Sequence, residues 1–152
     1  MNVTMSISSW ELIHRLALGS MLLVVVWHDV SRRTIPNRAV VLGSVVAIAL
    51  SVMPSGLGVW AALLGGLVAF LSFLFLHLLS MLGAGDVKLA AASGLYFSPV
   101  EAFDVCLTIL MVGGLVALVW GVVTRNKPAQ KIPYALAIAM GIGLHTLLKS
   151  HA

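Results

Sequence analysis

The feature that most constrains this chain is a series of long apolar segments that carry almost no charge. Charged residues make up 9% of the sequence, whereas a soluble domain needs roughly a quarter to cover its surface. The segments lack the alternation of β-strands, and lipid leaves backbone polar groups to be satisfied within the chain. The sequence therefore predicts an all-α fold, a polytopic membrane helix bundle.

Six apolar segments stand between polar or turn-forming stretches. The predicted helices cover about 12–27, 39–53, 59–82, 87–97, 102–123 and 133–148. At ~1.5 Å per residue, the fourth reaches only about half of a ~30 Å hydrocarbon core. We therefore expect a short fourth helix that is buried among its neighbours or partly re-entrant. The chain is predicted to be one membrane-embedded domain over 1–152, without a separate soluble or methyltransferase domain.

Six alternating crossings would collect most of the basic residues on one side of the membrane. Loops 30–38, 83–88 and 124–132 fall on that side, and both termini fall on the other. The seven basic residues collected there are Arg32, Arg33, Arg38, Lys88, Arg125, Lys127 and Lys131. The positive-inside rule makes this side cytoplasmic and the topology N-out/C-out. Basic residues spread over three loops do not form a nucleic-acid face, so we expect membrane lipid as their partner and no nucleic acid.

Two acidic residues, Asp29 and Asp86, both fall at helix boundaries on the predicted cytoplasmic side. A charge at such a place is unfavourable unless it is paired, hydrated or used. Each has a plain interpretation: Asp29 as a solvated helix end near Arg32 and Arg33, and Asp86 as the N-cap of the fourth helix. Two carboxyl groups at one membrane depth could also share a proton, because like charges a few ångströms apart do not both remain ionised.

The residues around the two aspartates form recognisable motifs. Asp29 is followed by six residues and then Pro36-Asn37, and the second aspartate closes Gly83-Ala84-Gly85-Asp86. A third stretch, Ile132-Pro133-Tyr134, opens the last apolar segment. In this order the motifs resemble the prepilin peptidase family of membrane aspartic peptidases, and Gly-x-Gly-Asp is also similar to the presenilin-type motif. The chain looks like the short form of the family that serves tight-adherence (Flp-type) pili.

The resemblance implies an endopeptidase in the bacterial inner membrane that uses Asp29 and Asp86 as its catalytic pair and needs no cofactor. Its expected partner is the apolar helix of a type IV or Flp-type prepilin, whose leader peptide would be cut at the cytoplasmic face. Larger members of the family carry an additional cytoplasmic segment and also methylate the new N-terminus. Because this sequence lacks such a segment, cleavage without N-methylation is expected.

Other motif residues have possible supporting roles. Gly83 and Gly85 would let the backbone approach a substrate and permit positive φ, unless they only break the helix. Lys88 would tune the pKa of Asp86 or attract an acidic substrate residue, unless it is an ordinary topology charge. Pro36-Asn37 would start the second helix, with or without contact to substrate.

The remaining sequence features predict no metal site and leave one alternative function open. The histidines are not at ligand spacing, so no metal site is predicted. The glycine pairs 65–66 and 113–114 are predicted to let helices pack closely. The alternative function is a catalytically silent membrane scaffold, or a small proton- or cation-coupled transporter that uses Asp29 and Asp86 as its ion site.

Overall fold

The computed structural model describes residues 3–32, 34–123 and 134–151, and within them every regular element is an α-helix. We number the six helices α1 to α6 in chain order: Val3–Arg32, Asn37–Val52, Val59–Leu78, Ala84–Gly94, Pro99–Val123 and Tyr134–His151. The predicted all-α fold with a short fourth helix is confirmed.

The lengths and surfaces of these helices suit a membrane. Trp10–Arg32, Val59–Leu78 and Pro99–Val119 are long and apolar enough to cross one, and α2 and α6 are shorter apolar helices. Large apolar side chains point outward, as shown by Trp60, which is 80% exposed, and Met111, which is 78% exposed. The buried core instead contains many alanines. Small residues inside and large ones outside are what helix packing in lipid requires, since lipid solvates the large side chains.

Helix α4 lies inside the bundle, in contact with α2, α3, α5 and α6. Six of its 11 residues are buried: Val87, Leu89, Ala90, Ala92, Ser93 and Gly94. This is the short helix surrounded by neighbours that the sequence predicts. It runs antiparallel to α3, because Gly94 at the end of α4 packs against Gly65 in the first half of α3.

The contact between α3 and α4 is made by backbone atoms. A Cβ atom at Gly65 would lie 2.1 Å from the Phe97 carbonyl oxygen and 2.6 Å from that of Gly94. At the next position, a Cβ at Gly66 would lie 2.7 Å from the Leu95 side chain. Only glycine fits at such distances, so these residues allow α4 to lie directly against α3.

A buried hydrogen bond ties the end of α4 to α2. The Tyr96 phenol donates to the Gly43 carbonyl oxygen at 2.8 Å. On another side of Gly43, a Cβ atom would lie 2.0 Å from the Met21 sulfur of α1. The segment around Gly43 therefore packs against both α1 and α4, and it fixes the second helix between them.

Two helices on the aspartate side end at other residues than predicted. Helix α1 continues past residue 27 to Arg32, because no glycine or proline interrupts it before Pro36, and the residue before a proline disfavours helix. Helix α3 stops at Leu78, although the apolar run continues to residue 82. Leu79–Leu82 form a turn in which Ser80 has φ 59°, and His77 Nδ1 lies 2.8 Å from the Leu82 carbonyl oxygen.

Four helices begin earlier than predicted, and for α1 and α2 the first residues are Val3 instead of residue 12 and Asn37 instead of residue 39. Helix α4 begins at Ala84 instead of residue 87 and ends at Gly94 instead of residue 97. Helix α5 begins at Pro99 instead of residue 102, since proline is well suited to a first helical turn. The prediction that Pro133 opens the last helix lies outside the described residues.

We expect that Gly65→Ala lowers the stability of the fold, because its methyl group would overlap the carbonyl oxygens of α4. Overpacking of this kind typically costs about 1–3 kcal/mol. The matched control is Gly19→Ala in α1, where nothing lies within 4 Å of the added carbon. Thermal unfolding in detergent micelles should show a lower midpoint for Gly65→Ala alone. Equal midpoints for the two variants would contradict the backbone contact.

Candidate active site

The two aspartates come together at one end of the bundle. Asp29 lies in the last turn of α1, and Asp86 is the third residue of α4. Both side chains are half-buried and line one cavity of about 830 Å³. They are close enough for the charge of Asp29 to act on Asp86. The structure thus brings the predicted pair into a single site.

The loop before α4 orients Asp86. The Gly83 backbone N–H donates to Asp86 Oδ2 at 3.1 Å, and the Asp86 backbone N–H donates to the Gly83 carbonyl oxygen at 3.1 Å. Gly83 is the N-cap of α4, so Asp86 is not the N-cap that the plain interpretation expected. Its carboxylate nevertheless lies in the first turn, where the helix dipole favours a negative charge.

Asp29 has the opposite relation to its own helix. A carboxylate in the last turn of α1 faces the negative end of that helix dipole, which disfavours it. The start of α6 offsets this effect, because the Ala135 backbone N–H donates to Asp29 Oδ2 at 3.3 Å. The first N–H groups of a helix lack partners within the helix and are available for such a bond. Asp29 is therefore held by α6 as well as by α1.

The two aspartate motifs touch through Gly85 and Ile35. A Cβ atom at Gly85 would lie 3.1 Å from Ile35 Cδ1, so the linker between α1 and α2 packs against the first turn of α4. Pro36 then caps α2 with its carbonyl oxygen, which accepts from the Ala39 and Val40 backbone N–H groups. The motifs therefore form one structural unit.

The glycines of Gly-x-Gly-Asp act through close approach and not through positive φ. Gly83 has φ −76°, and among the described residues only Gly58 and Ser80 have positive φ. The prediction that Gly83 and Gly85 use positive φ was wrong. Backbone reversal takes place earlier in the loop, at Ser80, so the glycines are free to serve as packing positions.

Other predicted residues lie outside the cavity. Lys88 and Asn37 are exposed, Pro36 is half-buried, and none of the three lines the cavity wall. Arg33 lies outside the described residues. Within the described ranges, His, Cys, Asp and Glu side chains form no group of three that could hold a metal ion.

Two residues at the site, Tyr134 and His77, had no predicted role. Tyr134 lines the cavity, where Gly113 contacts its ring, and His77 holds the loop before Gly83 through Leu82. The glycine pair 113–114 predicted close helix packing, which the structure shows at Gly113. Nothing in the local sequence indicated that the partner of Gly113 is a tyrosine.

A second cavity, of about 340 Å³, lies at the opposite end of the bundle. The residues that line it come from the start of α1, the α2–α3 and α4–α5 loops and the end of α6. Its charged side chains pair with one another, Arg15 with Glu11 at 3.8 Å and Lys149 with Glu101. The loops therefore alternate between two ends, and both aspartates lie at the same end.

Burial has a marked effect on Asp86, which lies at the junction of loop and helix and outside the candidate membrane-spanning segments. Its pKa is raised from 3.8 to about 6, and desolvation by burial is the largest cause. The charge of Asp29 contributes to the rise, and the hydrogen bond from Gly83 opposes it. A carboxyl group that titrates near pH 6 can hold a proton for a neighbouring carboxylate close to neutral pH.

The raised pKa predicts that stability falls as pH rises. Between about pH 4 and pH 6 the unfolded chain releases the Asp86 proton while the folded chain keeps it, so ionisation favours unfolding. Asp86→Asn removes this charge. We expect the variant to be more stable than the parent at pH 8 by about 1–2 kcal/mol. This figure is the free energy that corresponds to the pKa shift, reduced because Asp86 is partly exposed to solvent.

Thermal unfolding in micelles at pH 3 and pH 8 tests this expectation. The two proteins should unfold alike at pH 3, where the carboxyl group is neutral in both states. Asp104→Asn is the control, because Asp104 is exposed on α5 and should give no such difference. An Asp86→Asn variant less stable than the parent at pH 8 would contradict the raised pKa.

Comparison with known proteins agrees with this geometry. The model of the type IV leader peptidase family matches residues 16–148, a range that includes both aspartates and all described residues of the cavity wall. Searches of curated proteins and of solved structures gave no significant match. Since the family match covers most of the sequence, the chain belongs to the type IV leader peptidase family.

Proposed function

We propose that this chain is a membrane-embedded aspartic endopeptidase that removes the leader peptide from type IV or Flp-type prepilins. One observation carries the proposal: Asp29 of α1 and Asp86 of α4 line the same cavity and interact electrostatically. Family membership supports peptidase activity. The pair of carboxyl groups can act as the acid and base that peptide hydrolysis needs.

Two neighbouring carboxyl groups hydrolyse an amide by sharing one proton. The ionised group takes a proton from water, and the water oxygen bonds to the scissile carbonyl carbon. The protonated group keeps its proton and donates a hydrogen bond to the carbonyl oxygen, which becomes an oxyanion. The intermediate then collapses: the C–N bond breaks, the carbonyl re-forms, and the leaving amine takes a proton from the pair. Water is the only co-reactant. The two aspartates titrate as a unit, so the acid and base roles belong to the pair.

The shape of the cavity supports a peptide substrate that arrives through the membrane. Its volume of about 830 Å³ is far larger than two carboxyl groups and a water molecule need. Leu110, Gly114 and Ala117 of α5 form part of its wall, and nothing lies within 4 Å of a Cβ atom built at Gly114. A prepilin places a single apolar helix in the same lipid. We propose that the segment before this helix reaches the aspartates along α5.

The side of the membrane follows from charge. The basic loops predicted for the aspartate end make it the cytoplasmic end under the positive-inside rule. We therefore propose cleavage at the cytoplasmic face of the bacterial inner membrane. The Flp-type substrate and cleavage without N-methylation stay predictions of the sequence resemblance.

The central prediction concerns the two aspartates. Asp29→Asn and Asp86→Asn should each reduce prepilin cleavage at least about 100-fold, because an amide can neither take nor give the proton. Cleavage of a purified Flp-type prepilin in detergent micelles, followed by the shift in gel mobility, measures this. Asp104→Asn is the control, because it makes the same chemical change at an exposed position. This variant should cleave prepilin at the parent rate.

The same assay separates the proposed peptidase from the alternative. A scaffold or an ion-coupled transporter would leave prepilin processing unchanged when either aspartate becomes asparagine. Unchanged processing by both Asp29→Asn and Asp86→Asn would therefore exclude the dyad mechanism.

A second prediction tests where the substrate lies. Gly114→Leu would place an apolar side chain in the open part of the cavity, so we expect the KM for prepilin to rise at least about 10-fold. Gly143→Leu in α6 is the matched control, because nothing lies within 4 Å of its added carbon and it does not line the cavity. A Gly114→Leu variant with the parent KM would show that the substrate approaches elsewhere.

A further inference from the structure

The first described residue of α6, Tyr134, contributes a phenol to the aspartate cavity. Its side chain is half-buried, and it stands in the same cavity wall as Asp29 and Asp86. A phenol is a hydrogen-bond donor that keeps its proton at neutral pH. It could therefore donate a hydrogen bond to a molecule bound in the cavity.

The position of the Tyr134 ring is fixed by α5. A Cβ atom built at Gly113 would lie 2.4 Å from the phenol oxygen, 2.9 Å from Cζ and 3.2 Å from Cε2. The ring therefore rests on the backbone of α5, at a position where any larger residue would displace it. Such support limits the motion of the phenol, as a preorganised catalytic group requires.

The first turn of α6 interacts with both aspartates. The Tyr134 phenol interacts electrostatically with Asp86, and the next residue, Ala135, donates its backbone N–H to Asp29 at 3.3 Å. The phenol therefore stands in the same cavity as the two carboxyl groups and within electrostatic range of Asp86. A peptide carbonyl placed between the carboxyl groups would lie in the same cavity as this O–H group.

The two tyrosines of the chain differ in what their phenols do. Tyr96 donates to the Gly43 carbonyl oxygen at 2.8 Å and is occupied by that structural bond. Within the described part of the chain, the Tyr134 phenol has no such acceptor, so its O–H group is available to a molecule in the cavity.

We propose that Tyr134 is a catalytic residue of this site, whose phenol donates a hydrogen bond to the scissile carbonyl oxygen and stabilises the oxyanion. The role rests on the proposed peptidase function. As the water oxygen bonds to the carbonyl carbon, the electron pair of the C=O double bond moves to the oxygen that the phenol faces. Tyr134 keeps its proton throughout, and the aspartate pair carries the proton from water to the leaving amine.

Tyr134→Phe removes the O–H group and keeps the ring that contacts Gly113. We expect kcat for prepilin cleavage to fall about 100-fold, the usual loss for one oxyanion donor, while KM changes less than about twofold. Tyr96→Phe is the matched control. It should lower the thermal unfolding midpoint, because it loses the bond to Gly43, and leave kcat unchanged.

A transition-state analogue separates this role from a merely structural one. The probe is a prepilin-derived peptide in which a hydroxyethylene group replaces the scissile amide, so that its hydroxyl stands where the oxyanion forms. Tyr134→Phe should weaken binding of this probe at least about 10-fold. It should leave binding of the uncleaved prepilin, measured in the Asp29→Asn background, unchanged.

The outcomes distinguish the two levels of the proposal. If Tyr134→Phe cleaves at the parent kcat while Asp86→Asn is inactive, the role of Tyr134 is wrong and the peptidase function stands. A change in KM alone, or equal weakening of probe and substrate, also overturns the oxyanion role. If the parent chain cleaves no prepilin at all, the proposed function itself fails.

Discussion

The backbone contact between α3 and α4 sets the position of Asp86, and much of the site depends on it. Gly65 and Gly94 lack side chains, so α4 can lie against α3 at a distance that a single methyl group would prevent. At the other end of α4 from Asp86, Tyr96 adds a buried hydrogen bond to α2 that stabilises the fold. The local bonds with Gly83 then orient the carboxylate relative to α4. The bonds within the first turn of α4 would not by themselves bring Asp86 to Asp29, because Asp29 belongs to α1.

Helix α6 is the third component of the site, although the two aspartates belong to α1 and α4. The last turn of α1 disfavours a carboxylate, and burial disfavours the charge of Asp86. Backbone N–H groups at the start of α6 offset part of the first effect through Ala135. The burial of Asp86 is not offset in this way, so it lowers the stability of the fold near neutral pH. The same burial lets the aspartate pair retain a proton at that pH. Stability and proton sharing therefore have one physical origin.

The sequence predicted the number and type of helices because long apolar runs and their interruptions are local properties. It also predicted that the two aspartate motifs belong together. Helix ends were less accurate, because hydrophobicity indicates contact with lipid and not backbone hydrogen bonding. Leu79, Met81 and Leu82 are hydrophobic, for example, yet they belong to a turn. The contact of Gly113 with Tyr134 depends on how α5 lies against α6. Such a relation between distant segments has no signal in either segment alone.

The packing of Gly85 against Ile35 has a consequence for how sequences of this kind vary. The added carbon of an alanine at position 85 would already press on the Ile35 side chain. A larger residue there needs a shift of the Ile35 side chain or a smaller residue at position 35, which is distant along the chain. The two positions are therefore expected to change together during evolution. Compensating substitutions at this pair, rather than at the aspartates, should mark the divergence of related chains.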